Sequence, residues 1–472
     1  MSEERGHAEP GTTGTGSAGD LSEFGYQQEL RRSLRLRDLI VYGLVFMVPI
    51  APFAIFGPVF NASHGMVPLT YVIGLVAMIF TALSYREMSR AFPVAGSVYA
   101  YAGRGIGSWA GFLAGWALIL DYLLIPTLLY VTGAAAMQSV LPGVPGWLWV
   151  VIFLAINTVV NLAGVELGAW VNRVFLIGEL IVLTIFIVLA IIAINHGVGG
   201  AHWSTLPFYN PKEFNTGLVF SALSIAALSF LGFDAISTQA EEVQGGPKVV
   251  GRATILSLLL VAVLFIGQTY LAALLVPGKT QFVGDDATNQ AFYNVAGLTA
   301  GHWMTVLIAL STALGSAIAN SLAAQNAISR LLYSMGRDRV LPKFLAHINP
   351  KRRVPERAIV VVAIISLILG LAFVGQVGFL STLVNFGALF SFLLLHVSVA
   401  VYYLIKKRQK TYGMHLVVPV IGFVIIGYIE YNADTPAKIG GGIWLGIGVI
   451  VLIIRLVTGR STNLNLDESK PA

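Results

Sequence analysis

Five acidic side chains stand where an acid is costly. Asp121, Glu179 and Asp234 each interrupt a long apolar stretch, and Glu241 and Glu242 close the stretch that holds Asp234. An ionisable group inside such a stretch is a functional candidate by default. No Lys or Arg lies deep in any of these stretches, so the missing partner reads as a mobile cation: a bound amine, a proton or sodium. The structural alternative for each acid is a protonated carboxyl, or one bonded to free backbone N–H groups. For Glu241 and Glu242, a gate or a capping role beside Lys248 or Arg252 competes with ligand contact.

Aromatic and small polar residues lie near these acids. Phe230 and Phe233 flank Gly232, while Tyr99, Tyr101, Tyr122 and Tyr130 surround Asp121 along the chain. An aromatic face attracts a cation by roughly 0.5–2 kcal/mol; ordinary core packing is the competing reading. Phe230 is the candidate gate. The run STALGSAIANSLAAQNAISR offers Ser311, Thr312, Ser316, Asn320 and Ser321 to an ion or substrate, or small side chains for close helix packing. His396 has no second ligand at metal spacing and reads as a satisfied core histidine. GSVYAYAGRGIGSWAG lacks the preceding strand and the lysine of a phosphate loop, and neither HExxH nor a serine elbow occurs. No enzyme activity, metal or cofactor is expected.

Composition says what must position these residues. The chain has 472 residues, 56% hydrophobic and 11% charged, with a mean hydropathy of +0.78. Soluble domains carry roughly 25% charge, so the apolar surface here has to face lipid. With no cysteine, disulfides, thiolate catalysis and Cys-ligated metals are excluded. The net charge of +6 sits mostly in short loops, a topology signal rather than a nucleic-acid one.

A helix needs roughly 20 apolar residues to cross the hydrocarbon core. Twelve such runs are predicted: 39–61, 66–88, 104–139, 147–163, 170–195, 216–240, 251–276, 303–333, 358–374, 377–404, 413–430 and 437–458. With the N-terminus in the cytoplasm, the outer loops hold only Lys212, Lys279 and Lys438 of the 29 cations. Both termini are therefore expected inside. No secretory signal is visible, and residues 1–38 and 459–472 read as polar cytoplasmic tails. Two spans are interrupted. GLVFMVPIAPFAIFG carries Pro49 and Pro52, and ALSFLGFDAISTQAEE carries Gly232. Each is a kink or packing contact if taken alone; as a pair five spans apart they point to an inverted-repeat architecture.

Three stretches make the chain recognisable: YREMSRAFPVAGSVYAYAGR, SFLGFDAISTQAEEVQGGPKVVGRA and SRLLYSMGRDRVLPKFLAHINPKRRVPERA. From about Ser33 to about Arg455 it resembles the amino acid–polyamine–organocation permease superfamily. LDYLLIP, LVNFGALFSF and MVPIAPFAIFG make it most similar to the putrescine-importer branch. The resemblance implies an all-α integral membrane protein with twelve transmembrane helices. It also implies a LeuT-like five-plus-five inverted repeat, spans 1–5 over 39–195 and spans 6–10 over 216–404, with peripheral spans 11–12 over 413–458. Substrate is then expected between broken spans 1 and 6, with spans 3 and 8 as scaffold. The expected contacts are Val48, Pro49, Ile50, Ala51, Asp121, Tyr122, Phe230, Gly232, Phe233, Asp234, Ser316 and Asn320, with Phe230, Glu241 and Glu242 at the gate. Some proton-coupled relatives place a span-5 lysine where others bind sodium, and IGELIVL puts Glu179 there, which makes it the coupling candidate. Amino-acid-transporting relatives carry a glycine-rich span-1 break; here Val48 to Pro52 stand instead.

The expected function is secondary transport of a small amine solute, a polyamine such as putrescine or an amino acid, in the plasma membrane. Protons are the expected coupling ion and sodium the alternative. An amino-acid permease or exchanger of the same fold is the near alternative. A channel is the remote one, because no repeated filter motif is present.

Overall fold

The computed structural model describes residues 34–92, 97–164, 169–237, 243–244, 246–337, 341–349, 352 and 354–458. The tails before residue 34 and after residue 458, and with them Glu241 and Glu242, lie outside the described residues. In chain order the helices are α1 (Leu36–Met47), α2 (Ala51–Ser63), α3 (Val67–Ala91), α4 (Ser97–Gly105), α5 (Ser108–Val140), α6 (Gly146–Ala163), α7 (Ala169–Asn195), α8 (Thr216–Ala226) and α9 (Pro247–Leu274). They continue with α10 (Asp285–Asn289), α11 (Ala291–Ala300), α12 (His302–Thr312), α13 (Ser321–Arg337), α14 (Glu356–Ala372), α15 (Val377–Ala400), α16 (Val418–Tyr431) and α17 (Thr435–Val457). Proline stands in the first turn of α2, α3, α9, α16 and α17, where its missing N–H would be unpaired in any case.

Nine helical stretches among the described residues are long and apolar enough to cross a bilayer, ten if the bent pair α1–α2 is one span. Of the other two apolar runs, the described part of 216–240 becomes α8, a short 3₁₀ turn ending at Phe230, a non-helical turn over 231–233 and a second 3₁₀ turn over 234–237, and 358–374 becomes the 17-residue α14. The outward faces of α7, α16 and α17 expose Ile181, Val188, Val424, Ile443, Ile450 and Ile454. So large an apolar surface belongs against lipid.

Both sequence interruptions are breaks in the backbone. α1 ends at Met47, and α2 restarts at Ala51 with a bend of 48°. Val48 between them has φ +51°, a region that costs a β-branched residue of order 1–3 kcal/mol. Pro49 and Pro52 supply no N–H to carry the ladder across. On the other side, Leu231 is extended after the 3₁₀ turn and Gly232 takes φ +116°, open to glycine alone. A methyl group on Gly232 would stand 3.0 Å from Phe46. The two broken turns are therefore packed on one another.

α5 is the central post. It packs against α4, α6, α12, α13, α14, α15 and α17. Glycines allow the closest of these approaches: a methyl on Gly133 would overlap Ala317, and one on Gly387 would overlap the Ala117 carbonyl. α3 packs along α9, and α1 also lies on α9. His396 of α15 is buried, bonded to Ser84 Oγ at 2.9 Å and Thr81 Oγ1 at 3.3 Å, and is the satisfied core histidine its sequence context predicts.

Two features differ from the sequence reading. The run 104–139 begins with the end of α4, and its long helix starts at Ser108 after Gly107 in extended backbone. The connection 277–302 is not plain loop but carries α10 and α11.

Candidate functional site

A cavity of about 110 Å³ opens between the two broken turns and the helices α5 and α12–α13. Of the residues expected at the site, Val48, Ala51, Asp121, Tyr122, Gly232, Asp234, Ser316 and Asn320 line it. A void that can hold a single water needs roughly 10–15 Å³, so this one has room for a small organic solute. Its wall combines apolar side chains, such as Ile55, Ile125, Leu128 and Leu129, with a few polar ones, among them Thr132 and Ser229. None of the described lining residues is Lys, Arg or His.

The two carboxyl groups have different surroundings. Asp234 is held by the broken turn itself, where the Gly232 amide donates to its Oδ1 at 3.0 Å. Asp121 Oδ1 is buried with no hydrogen-bond partner among the described residues. A buried acceptor left unpaired is costly, so Asp121 is the group with a bond still to make. Both acids line the same cavity. Two like charges in a low-dielectric wall are relieved by a cation between them.

The backbone around the breaks has little to offer an anion. The Val48 amide donates to the Leu44 carbonyl at 3.0 Å and that of Ala51 to the Val48 carbonyl at 2.8 Å. Pro49 and Pro52 have no amide hydrogen, and the Gly232 amide is taken by Asp234. The Pro49 carbonyl is covered in turn by the Gln268 side chain of α9, whose amide donates to it at 2.9 Å.

Span 8 adds the polar wall through an unusual turn. Between α12 and α13, residues Ala313–Asn320 form a π-helix, a wide turn of the kind common at functional sites. It presents Ser316 and Asn320 to the cavity. Thr312 and Ser321 turn back onto their own helix, bonding the Ile308 and Ala317 carbonyls. Glu179 of α7 does not line the cavity but meets the same wide turn from behind. It is buried, and a methyl on Gly315 would stand 2.5 Å from its Oε1.

Pro49, Ile50, Phe230 and Phe233, counted with the site from sequence, are absent from its wall. Phe230 is turned away by the 3₁₀ geometry of its turn and packs between Tyr71 of α3 and Phe265 of α9, at 5.8 and 5.5 Å. Phe233 follows Gly232 to the other side and meets Tyr85 and Phe392, both at 5.7 Å. The Pro49 carbonyl meets Gln268 of α9, and Ile50 is buried in the core. An aromatic cluster lies on α2 next to the lining residues Ala54 and Ile55, built from residues not singled out by sequence. Phe53 of α2 stacks on Phe292 of α11 at 4.1 Å, and Phe186 and Phe56 pack on Phe292 at 4.9 and 5.5 Å. Asn61 pins this segment to α2, donating to the Phe282 carbonyl at 2.9 Å and accepting from the Phe282 amide at 2.7 Å.

Sequence reasoning also missed the apolar wall, although a signal was there. Ile125, Leu128 and Thr132 follow Asp121 at four, seven and eleven positions, and Ala324 and Ala327 follow Asn320 at four and seven. Those are the spacings of one helix face. The Phe292 contact had no such signal, since it depends on how a connection folds back over α2.

A family model described as amino acid permease matches residues 39–463. The low-affinity putrescine importer of Escherichia coli is 33% identical over 431 residues, 90% of this chain and 93% of the relative. The branched-chain amino acid permease of Lactococcus lactis is 27% identical, over 89% of this chain and 93% of the relative. The methylthioribose transporter of Bacillus subtilis is 26% identical, over 92% and 95%. These are transporters of small solutes rather than enzymes. The helices, the two broken turns and the lined cavity accompany a match over nearly the whole membrane-embedded chain: this multi-pass membrane protein is a transporter that belongs to the amino acid permease family of the amino acid–polyamine–organocation superfamily.

Proposed function

We propose that the protein is a secondary active importer of a small amine cation, a diamine such as putrescine being the best fit. The observation that carries this reading is the pairing of Asp121 with Asp234 around one small cavity whose described lining holds no basic residue. Asp121 has an unpaired acceptor for an ammonium group, and Tyr122 adds an aromatic face. The Val48, Ala51 and Gly232 amides are already bonded and Pro49 and Pro52 have none, so a substrate carboxylate would find few donors. That argues for an amine over an α-amino acid. The 33% identical relative named as a putrescine importer supports the same choice.

The transport cycle follows from the same parts. Twelve crossings, both termini in the cytoplasm and a five-plus-five inverted repeat in the plasma membrane are the topology proposed here. Packing of α3 on α8 and of α9 on α1 supports the repeat, because exchanging the halves maps one contact onto the other. Alternating access would come from rocking of the broken-helix pair against α5 and α12–α13. The Phe53–Phe292 cluster would close the outer side, and Glu179 behind the wide turn is the proposed proton-coupling group.

The apolar wall and the 27% identical branched-chain permease favour a second reading, an amino-acid permease with the same site. Uptake into proteoliposomes separates the two. Labelled putrescine, spermidine, lysine, glutamate and leucine are compared with and without an imposed pH gradient. Gradient-stimulated putrescine uptake supports the proposal. Leucine uptake with no diamine transport would replace it with the second reading.

A further inference from the structure

The wide turn of span 8 has its own support outside the cavity. Within it the Ser321 amide reaches back five residues to the Ser316 carbonyl, the spacing of a π-turn. Turns of this kind pull carbonyl groups out of the regular ladder, and in a membrane core each such carbonyl needs another donor. The Ala317 carbonyl has two. Asn157 of α6 donates to it from Nδ2 at 2.8 Å, and Ser321 Oγ donates at 2.6 Å. Asn157 Nδ2 also donates to Ser321 Oγ. Asn157 is fully buried and is not among the lining residues.

We infer that Asn157 is a positioning residue for the polar wall of the site: its bond to the Ala317 carbonyl holds the wide turn open and so sets Ser316 and Asn320 toward the solute. An ordinary α-turn has one residue fewer per hydrogen-bonded ring, so closing the π-turn would rotate every residue on one side of it by about 100°. Ser316 and Asn320 would leave the cavity face. Four residues further along α6 the same pair of helices supplies a control. Asn161 Nδ2 donates to the Leu322 carbonyl at 3.3 Å and to Gln325 Oε1 at 2.9 Å, chemistry of the same kind placed beyond the wide turn. If the bonds only glue α6 to α13, the two asparagines are equivalent; if Asn157 positions the wall, they are not.

The absence of cysteine makes the test clean. A single cysteine replaces Asn320 in the full-length protein in liposomes, and its modification by a small methanethiosulfonate reagent is timed. Asn157→Leu is expected to slow modification by about fivefold, on the scale of one hydrogen-bonded preference, while Asn161→Leu leaves it within about twofold. Ser321→Ala removes the other donor to the same carbonyl and, as an alanine in a helix, is a mild change. It is expected to slow modification in the same direction by about two- to threefold. Unchanged rates in Asn157→Leu and Ser321→Ala, or equal slowing by Asn161→Leu, overturn the inference. Should Asn157→Leu not fold, the Ser321→Ala and Asn161→Leu pair decides alone. The inference rests on the reading of the cavity as the substrate site, and protection by putrescine tests that part separately. Failure of putrescine to slow modification of Cys-free-background Asn320→Cys, with the Asn157 effect intact, counts against the diamine and not against the positioning.

Discussion

Gly387 of α15 lies directly on the backbone of α5 beside Asp121. A methyl group on Gly387 would overlap the Ala117 carbonyl oxygen and stand 3.1 Å from the Asp121 amide nitrogen. Only glycine permits this crossing, which fixes where along α5 the acid meets the cavity. Gly387→Ala is expected to push the helices apart, costing about 1–3 kcal/mol as overpacking does, and to weaken substrate binding. Thermal unfolding and ligand affinity on one detergent preparation check both. Wild-type values for each would remove Gly387 from the positioning of Asp121.

Glu179 and Gly315 form a second such pair, with the carboxyl against the wide turn of span 8. A group that must gain and lose a proton in the cycle cannot be replaced by an amide. Glu179→Gln is expected to flatten the pH dependence of uptake and leave substrate affinity within about threefold, because no charge-assisted bond to the solute is lost. An unchanged pH profile would make Glu179 structural and place coupling elsewhere.

The Phe53–Phe292 stack at 4.1 Å is expected to hold the outer side shut. Truncating a buried phenylalanine removes about 3–5 kcal/mol of packing, here from one state of the cycle. Phe292→Ala should raise the rate at which a membrane-impermeant thiol reagent, added outside, reaches Ala54→Cys in the cavity wall. If the rate does not rise, the aromatic cluster is core and not closure.

The order in which these features became legible has a physical reason. The breaks at Val48–Ile50 and Gly232 could be read from sequence because proline and glycine act on the backbone locally. The acids could be read because a charge inside an apolar run is conspicuous. Side-chain direction was not local. Phe230 and Phe233 both flank the break in sequence, yet the 3₁₀ turn and the extended Leu231 send both into the core. The π-turn that presents Ser316 and Asn320 depends on Asn157, more than 150 positions away. Nor does composition predict that α11 folds over α2, since that contact is fixed by Asn61 meeting Phe282 across 221 positions.

Trp116 of α5 and Trp444 of α17 clasp one another. Each indole N–H donates to the other's carbonyl, at 2.9 and 2.8 Å, and the rings stack at 5.0 Å. The clasp ties α17 to the central post one helical turn and a residue from Asp121. Trp444→Phe keeps the stacking and removes one N–H, leaving the Trp116 carbonyl with its helix bond alone. It is expected to cost about 0.5–1.5 kcal/mol of stability with transport affinity unchanged. Unfolding in detergent measures the first and uptake the second; a lost affinity with native stability would give the clasp a role in the site instead.

Asp121 carries the central claim, since among the lining residues its Oδ1 is the buried acceptor with no partner among the described residues. Asparagine in its place keeps the shape and removes the charge. Asp121→Asn is expected to lose a charge-assisted bond to an ammonium group, about 1.5–3 kcal/mol, or on the order of ten- to a hundredfold in affinity. The direct measurement is equilibrium binding of putrescine, lysine and leucine to purified wild-type and Asp121→Asn protein. The expected result is putrescine binding tightest to the wild type and losing that factor in the mutant, with any leucine binding nearly unchanged. Leucine binding tightest to the wild type, with putrescine affinity indifferent to the substitution, would contradict the amine-cation reading.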